Sequence, residues 1–172
     1  MGQGIVLRGG RCEHRMPAAV RLSRLAGLAA AMNSIFDDFP SPSSARLLGW
    51  EMRGFDAAAR TIEIGFSIDD RFLNPAGTVQ GGFLAAMLDD TQGPCLFAAS
   101  EGQVYAPTID FHVVCLKPAR PGRFTGKGRV VSLGKTIAVT EAELFDEGGN
   151  MVARGTFTGR VMQGAMARRG EK

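Results

Sequence analysis

One stretch of this chain, residues 79–99, reads as a long helix, and four β-like runs follow it with no second helical stretch between them. The helical stretch is rich in Ala, Leu and Met, and Thr78 stands before it as a candidate N-cap. The β-like runs cover residues 104–116, 122–133, 135–146 and 150–162, and Asp146-Glu147-Gly148-Gly149-Asn150 is a strong hairpin signal. Upstream, Ile62, Ile64, Phe66 and Ile68 alternate with Glu63, Gly65, Ser67 and Asp69, the period of a half-buried strand. Residues 48–55 are its expected hairpin partner. A lone helix with strands on both sides in sequence has one economical way to bury its apolar side. It lies across a single antiparallel sheet, an α+β architecture.

The flanks read differently. Residues 1–17 are expected to be a disordered leader, and residues 18–47 a helical segment. Val20, Leu22, Leu25, Leu28, Met32, Ile35 and Phe36 recur there at helical spacing. The sheet-and-helix domain is expected over 48–162, with a tail at 163–172. The apolar stretch 25–32 loosely imitates a signal peptide but is short and has no clear small-residue cleavage site, so export is not expected.

Charge narrows the partners. The net charge is +3, but residues 1–33 carry +4 and the remainder carries −1. The domain itself is not basic, which argues against nucleic acid. No run of 18 apolar residues offers a membrane span. Cys12, Cys95 and Cys115 are odd in number and lack CxxC spacing, as in reduced thiols of a cytoplasmic protein. The two histidines, His14 and His112, are far apart, so no metal site is expected.

Two features of the long helix carry chemistry. Asp89 lies mid-helix, where Asp is unfavourable because its side chain competes for backbone hydrogen bonds. It belongs to a stripe of small residues, Gly82, Ala85, Ala86, Asp89 and Gly93, while Asp90 turns about 100° away. Two readings stand side by side. Either one aspartate is solvated and the other is a satisfied buried acceptor, or Asp89 is a desolvated carboxylate suited to general-base work. Gln80-Gly81-Gly82 opens the helix. This is either a plain tight turn or a bare helix start whose free N–H groups stabilise an oxyanion. It is not a phosphate loop, since no Gly-Lys-Ser/Thr follows it. His112 and Cys115, three apart on a strand, face opposite sides and form no local pair. No Gly-x-Ser-x-Gly elbow occurs.

Read together, Asn74-x-x-Gly77-Thr78-x-Gln80-Gly81-Gly82-x6-Asp89 resembles the signature of the phenylacetate-degradation (PaaI-type) hotdog thioesterases. The resemblance covers roughly residues 48–162. It extends to Ala106-Pro107-Thr108-Ile109-Asp110-Phe111-His112-Val113 and to the turn after Lys117. Many members of that family carry His where this chain has Gln80, which cannot titrate and so would orient a group. The resemblance implies a hotdog fold, in which one long central helix is wrapped by an antiparallel sheet, here with an extra N-terminal helix. It implies hydrolysis of a small or medium acyl-CoA, aromatic ones among the candidates, with no separate cofactor, since coenzyme A is part of the substrate. Asp89 would activate water or attack the thioester, and Gly81 or Gly82 N–H would hold the thioester oxygen. Asn74 would position the water or the loop, and Thr108 would assist the water. A homodimer, or a dimer of such dimers, would set Asp89 against the partner's helix start.

Two other functions compete. A hotdog hydratase or dehydratase usually wants a histidine beside the carboxylate, and this helix supplies none. A non-catalytic acyl-CoA-binding protein is the other alternative. Phe83, Met87 and Leu88 are candidates to line an acyl pocket. Lys117, Arg120 and Arg123 are candidates to meet coenzyme A phosphates, or are a solvated turn.

Overall fold

The computed structural model describes Phe36 and residues 41–164. The expected leader, most of the expected helical segment over 18–47 and most of the tail lie outside the described residues. Phe36 is helical and packs against Trp50 and Phe97, with ring centroids 5.9 and 5.6 Å away.

A short helix α1 (Ser43–Leu47) leads into β1 (Glu51–Asp56) and β2 (Thr61–Ile68). The long helix α2 (Gly81–Ala99) follows, and then β3 (Val104–Tyr105), β4 (Thr108–Cys115), β5 (Gly122–Leu133), β6 (Ile137–Phe145), β7 (Met151–Arg160) and β8 (Met162–Gln163). Six strands form one sheet in the order β1-β2-β5-β6-β7-β4, every neighbouring pair antiparallel, and β3 pairs with β8. Helix α2 lies across this sheet, as a hotdog fold requires.

The alternation in β2 works as expected. Ile62, Ile64, Phe66 and Ile68 are buried and meet Leu84, Met87, Leu88 and Cys95 of the helix, together with Phe124, Leu144 and Phe157. Glycines set how closely the layers approach. A methyl group on Gly126 would overlap the Thr91 hydroxyl, and one on Gly128 would come within 3.2 Å of the Thr91 methyl. These two bare positions in β5 let α2 settle onto the sheet at Thr91, the residue beside Gln92.

Two expectations are corrected. The run 104–116 is split, because Pro107 has no N–H to continue a ladder and the β4–β7 register shifts between Thr108 and Asp110. Thr78 is not the helix cap. Gln80 occupies that position, without a side-chain capping bond, because Thr78 is bound into the preceding loop.

Candidate active site

The loop before α2 is closed by Asn74. Its Oδ1 accepts from the N–H groups of Ala76 (2.9 Å) and Thr78 (3.2 Å), and its Nδ2 donates to Thr78 Oγ1 (2.9 Å). The Asn74 N–H donates to the Thr78 carbonyl at 2.8 Å, and Gly77 turns the chain with φ +74°, a conformation glycine adopts without strain. Asn74 thus spends its side chain on holding the loop. The loop delivers Val79, whose N–H meets the Ala119 carbonyl, and Gln80, whose N–H meets the Phe72 carbonyl, each at 2.9 Å.

The helix begins at Gly81, with its cap residue Gln80 exposed. The Phe83 and Leu84 N–H groups turn back to the Gln80 carbonyl. The N–H groups of Gly81 and Gly82 have no acceptor among the described residues, as expected for the first turn of a helix. A Cβ on Gly82 would touch nothing within 4 Å, and one on Gly81 would meet only Cys115 Sγ, at 3.3 Å. The helix start is therefore two bare donors in open space, at the positive end of the helix dipole.

Two turns on, Asp89 is half-buried. Its Oδ1 accepts from Thr108 Oγ1 at 2.7 Å and from Gln92 Nε2 at 2.9 Å. Gln92 Nε2 also lies 3.1 Å from Thr108 Oγ1, and Gln92 Oε1 accepts from Thr140 Oγ1 at 2.7 Å. The sequence reading singled out Asp89 and Thr108, which the fold brings together, but missed Gln92 and Thr140, both buried. A signal for Gln92 existed, since an amide one turn from a helix-interior carboxylate can bond it. Thr140 had none, because strand periodicity does not tell an inward Thr from an inward Val.

Asp90 differs in kind. Pro94 has no N–H to give the Asp90 carbonyl four residues back, and Trp50 Nε1 donates to that carbonyl instead, at 3.0 Å. Its Oδ2 is buried without a hydrogen-bond partner among the described residues. Burial, with a smaller push from the neighbouring Asp89 charge, raises this carboxyl from its ordinary 3.8 to about 6.

The remaining candidates scatter. Cys115 Sγ approaches the helix start, while Phe111 on the same face of β4 stacks on buried Phe157 at 5.7 Å, so His112 points to the other face. Met87 and Leu88 are wholly buried in the core rather than lining a pocket, and Phe83 packs edge-on against Phe72 at 4.8 Å. Lys117 lies in the field of Asp146, and Arg123 shares an outer-face depression with Asp146 and Glu147. Among the described residues no group of His, Cys, Asp and Glu would hold a metal ion, and no helix is long and apolar enough to cross a membrane.

Residues 76–153, which include the helix start, Asp89, Gln92, Thr108 and Thr140, match the thioesterase superfamily. A crystal structure of a putative thioesterase, a phenylacetic acid degradation-related protein from Ralstonia eutropha JMP134, is 33% identical. It superposes with a TM-score of 0.69 over 74% of this chain and 96% of its own. The chain belongs to the thioesterase superfamily. Within it the resemblance is to the PaaI-type hotdog proteins, and membership makes the chain a thioester hydrolase. Among curated superfamily relatives, human acyl-coenzyme A thioesterase 13 is 26% identical over 106 residues, 59% of this chain and 74% of that one. The 1,4-dihydroxy-2-naphthoyl-CoA hydrolase of Escherichia coli K12 is 24% identical over 102 residues, 59% of this chain and 75% of that one.

Proposed function

We propose that this thioesterase hydrolyses acyl-CoA, with Asp89 acting on the thioester and the helix start of a second copy holding its oxygen. The observation that carries the reading is the Asp89 carboxylate, held through one oxygen by Thr108 and Gln92 and bearing none of these bonds on the other. A carboxylate so held is aimed, and it retains a lone pair for a proton. Named superfamily relatives that act on CoA thioesters support the substrate class.

Water attacks the carbonyl carbon while Asp89 takes its proton, and the oxyanion forms against the Gly81 or Gly82 N–H. Collapse breaks the carbon–sulfur bond. The carboxylic acid is released, and the departing coenzyme A thiolate takes up the proton. Direct attack by Asp89 would instead give an anhydride that water then opens. Thr108 steers the water beside Asp89, Asn74 holds the loop that presents the helix start, and Gln80 orients the substrate without moving a proton.

A single chain does not bring both halves to one bond. Gly81 and Gly82 are seven or eight residues from Asp89, about 10–12 Å along the helix axis. A reacting carbonyl needs its oxyanion donors and its base each within about 3 Å of their target atoms. A homodimer that sets one helix start against the other Asp89 closes the gap. Strand β4 supports such pairing. Among the described residues it is a sheet edge bonded only to β7, and Ile109, Phe111 and Val114 along it, with Leu116 just beyond, are all exposed. Polar rows cover the outer face of the sheet instead, where Glu63, Lys127, Glu143 and Arg154 alternate in register across four strands.

The acyl group falls in the small to medium range, aromatic acids included. Steady-state thiol release from a short and an aromatic acyl-CoA tests the reading. Asp89→Asn should lower kcat by roughly 10²–10⁴-fold with KM little changed. Retention of wild-type kcat would rule out this mechanism and favour a binding role.

A further inference from the structure

Gln92 is a long polar side chain buried between helix and sheet, where an unpaired amide would be costly. Each of its polar atoms meets a specific partner, and the partners come from three elements: Asp89 on α2, Thr108 at the start of β4 and Thr140 in β6. An ionised carboxylate only accepts. The Gln92 amide must therefore turn its NH2 to Asp89, which leaves its carbonyl facing Thr140. The Thr140 hydroxyl, 2% exposed, must then donate to that carbonyl. Thr108 gives its one proton to Asp89 Oδ1 and accepts from Gln92. Every proton in the cluster has one place, and the chain of donors ends on a single oxygen of Asp89.

We infer that Gln92 and Thr140 are positioning residues for the thioesterase reaction. They form a one-way hydrogen-bond relay from β6 that fixes Asp89 by Oδ1 and leaves Oδ2 to meet the water or the thioester carbon. This rests on the proposed role of Asp89 and adds the device that orients it. Thr140 is essential to the device although it touches no atom of Asp89. Without its proton the buried Gln92 carbonyl has no donor, and the amide loses the contact that fixes its plane while the carboxylate still draws its NH2. The close approach at Gly126 and Gly128 brings α2 near enough to β5 for the neighbouring Gln92 to reach β6.

The test compares Gln92→Leu, Thr140→Val and Thr140→Ser with wild type in kcat and KM, using a short acyl-CoA. Gln92→Leu should lower kcat by roughly 10- to 100-fold through loss of aim, with KM unchanged. Thr140→Val should lower kcat by less, and Thr140→Ser, which restores the hydroxyl, should recover the wild-type value. Folded Gln92→Leu with unaltered kcat would overturn the relay, as would Thr140→Ser as impaired as Thr140→Val. Should Gln92→Leu not fold, the Thr140 pair decides. An inactive Asp89→Asn beside unaffected relay variants would sink the relay alone, whereas an active Asp89→Asn would remove the reading beneath it.

Discussion

Asp90→Asn should stabilise the protein above neutral pH, although it replaces a residue adjacent to the proposed catalytic carboxylate. In the folded chain this carboxyl sits at about 6, against 3.8 when unfolded, through burial first and the Asp89 charge second. Between those two values the folded state binds the extra proton. The contribution of Asp90 to stability is therefore fully present below about pH 3.8 and is lost as the pH rises through about 6. The full shift corresponds to about 3 kcal/mol at 1.36 kcal/mol per unit, and partial solvent access reduces it to about 1–2 kcal/mol. Asparagine keeps the shape and never ionises, so the variant should escape that loss. Thermal melts of both proteins at about pH 4 and about pH 8 isolate the ionisation, since any packing change is common to both conditions. The gap in Tm between variant and wild type should widen by about 3–6 °C from the lower to the higher pH. A gap that does not change with pH, or that favours wild type more at high pH, would refute the argument that Asp90 is buried without a charge partner. Turnover should survive this substitution far better than Asp89→Asn.

Other consequences are as direct. Trp50→Phe leaves the Asp90 carbonyl without a donor, because Pro94 supplies none, and should cost about 1–2 kcal/mol of stability in denaturant titration. Gly126→Ala forces Thr91 off the sheet and should destabilise by about 1–3 kcal/mol, visible as a lower Tm. Gly81→Pro deletes one free N–H at a position where a helix tolerates proline. It should reduce kcat roughly 10²–10³-fold if that donor meets the oxyanion. Mixed with Asp89→Asn chains it should regain activity, since a shared dimer has one intact site; no recovery in mixtures would count against sites between copies. Ile109→Lys places a charge on the exposed β4 edge and should convert a sedimenting dimer to monomer with loss of turnover, and an active monomer would remove the need for a partner.

The sequence by itself determined the architecture and marked Asp89 and the helix-opening glycines as candidates for the chemistry. Period-two alternation in β2 and the hairpin signal at residues 146–150 depend on local backbone preference and on which face is apolar, and both are properties of neighbours in the chain. The same holds for Asp89, which is conspicuous because a carboxylate mid-helix violates a local rule, and for the glycines that open the helix. Interactions between distant segments were not legible. Thr78 reads as a cap until Asn74 is seen to claim its hydroxyl and N–H, and then Gln80 takes the position. Met87 and Leu88 read as pocket lining until the sheet covers them. Thr140 stands 51 residues after Asp89 in sequence and joins it only because β6 runs beneath α2, at a depth permitted by two glycines of β5. The difference between Asp89 and Asp90 is likewise tertiary. Identical side chains at adjacent positions diverge because one finds donors from β4 and its own helix, while the other turns into packing that offers its outer oxygen none.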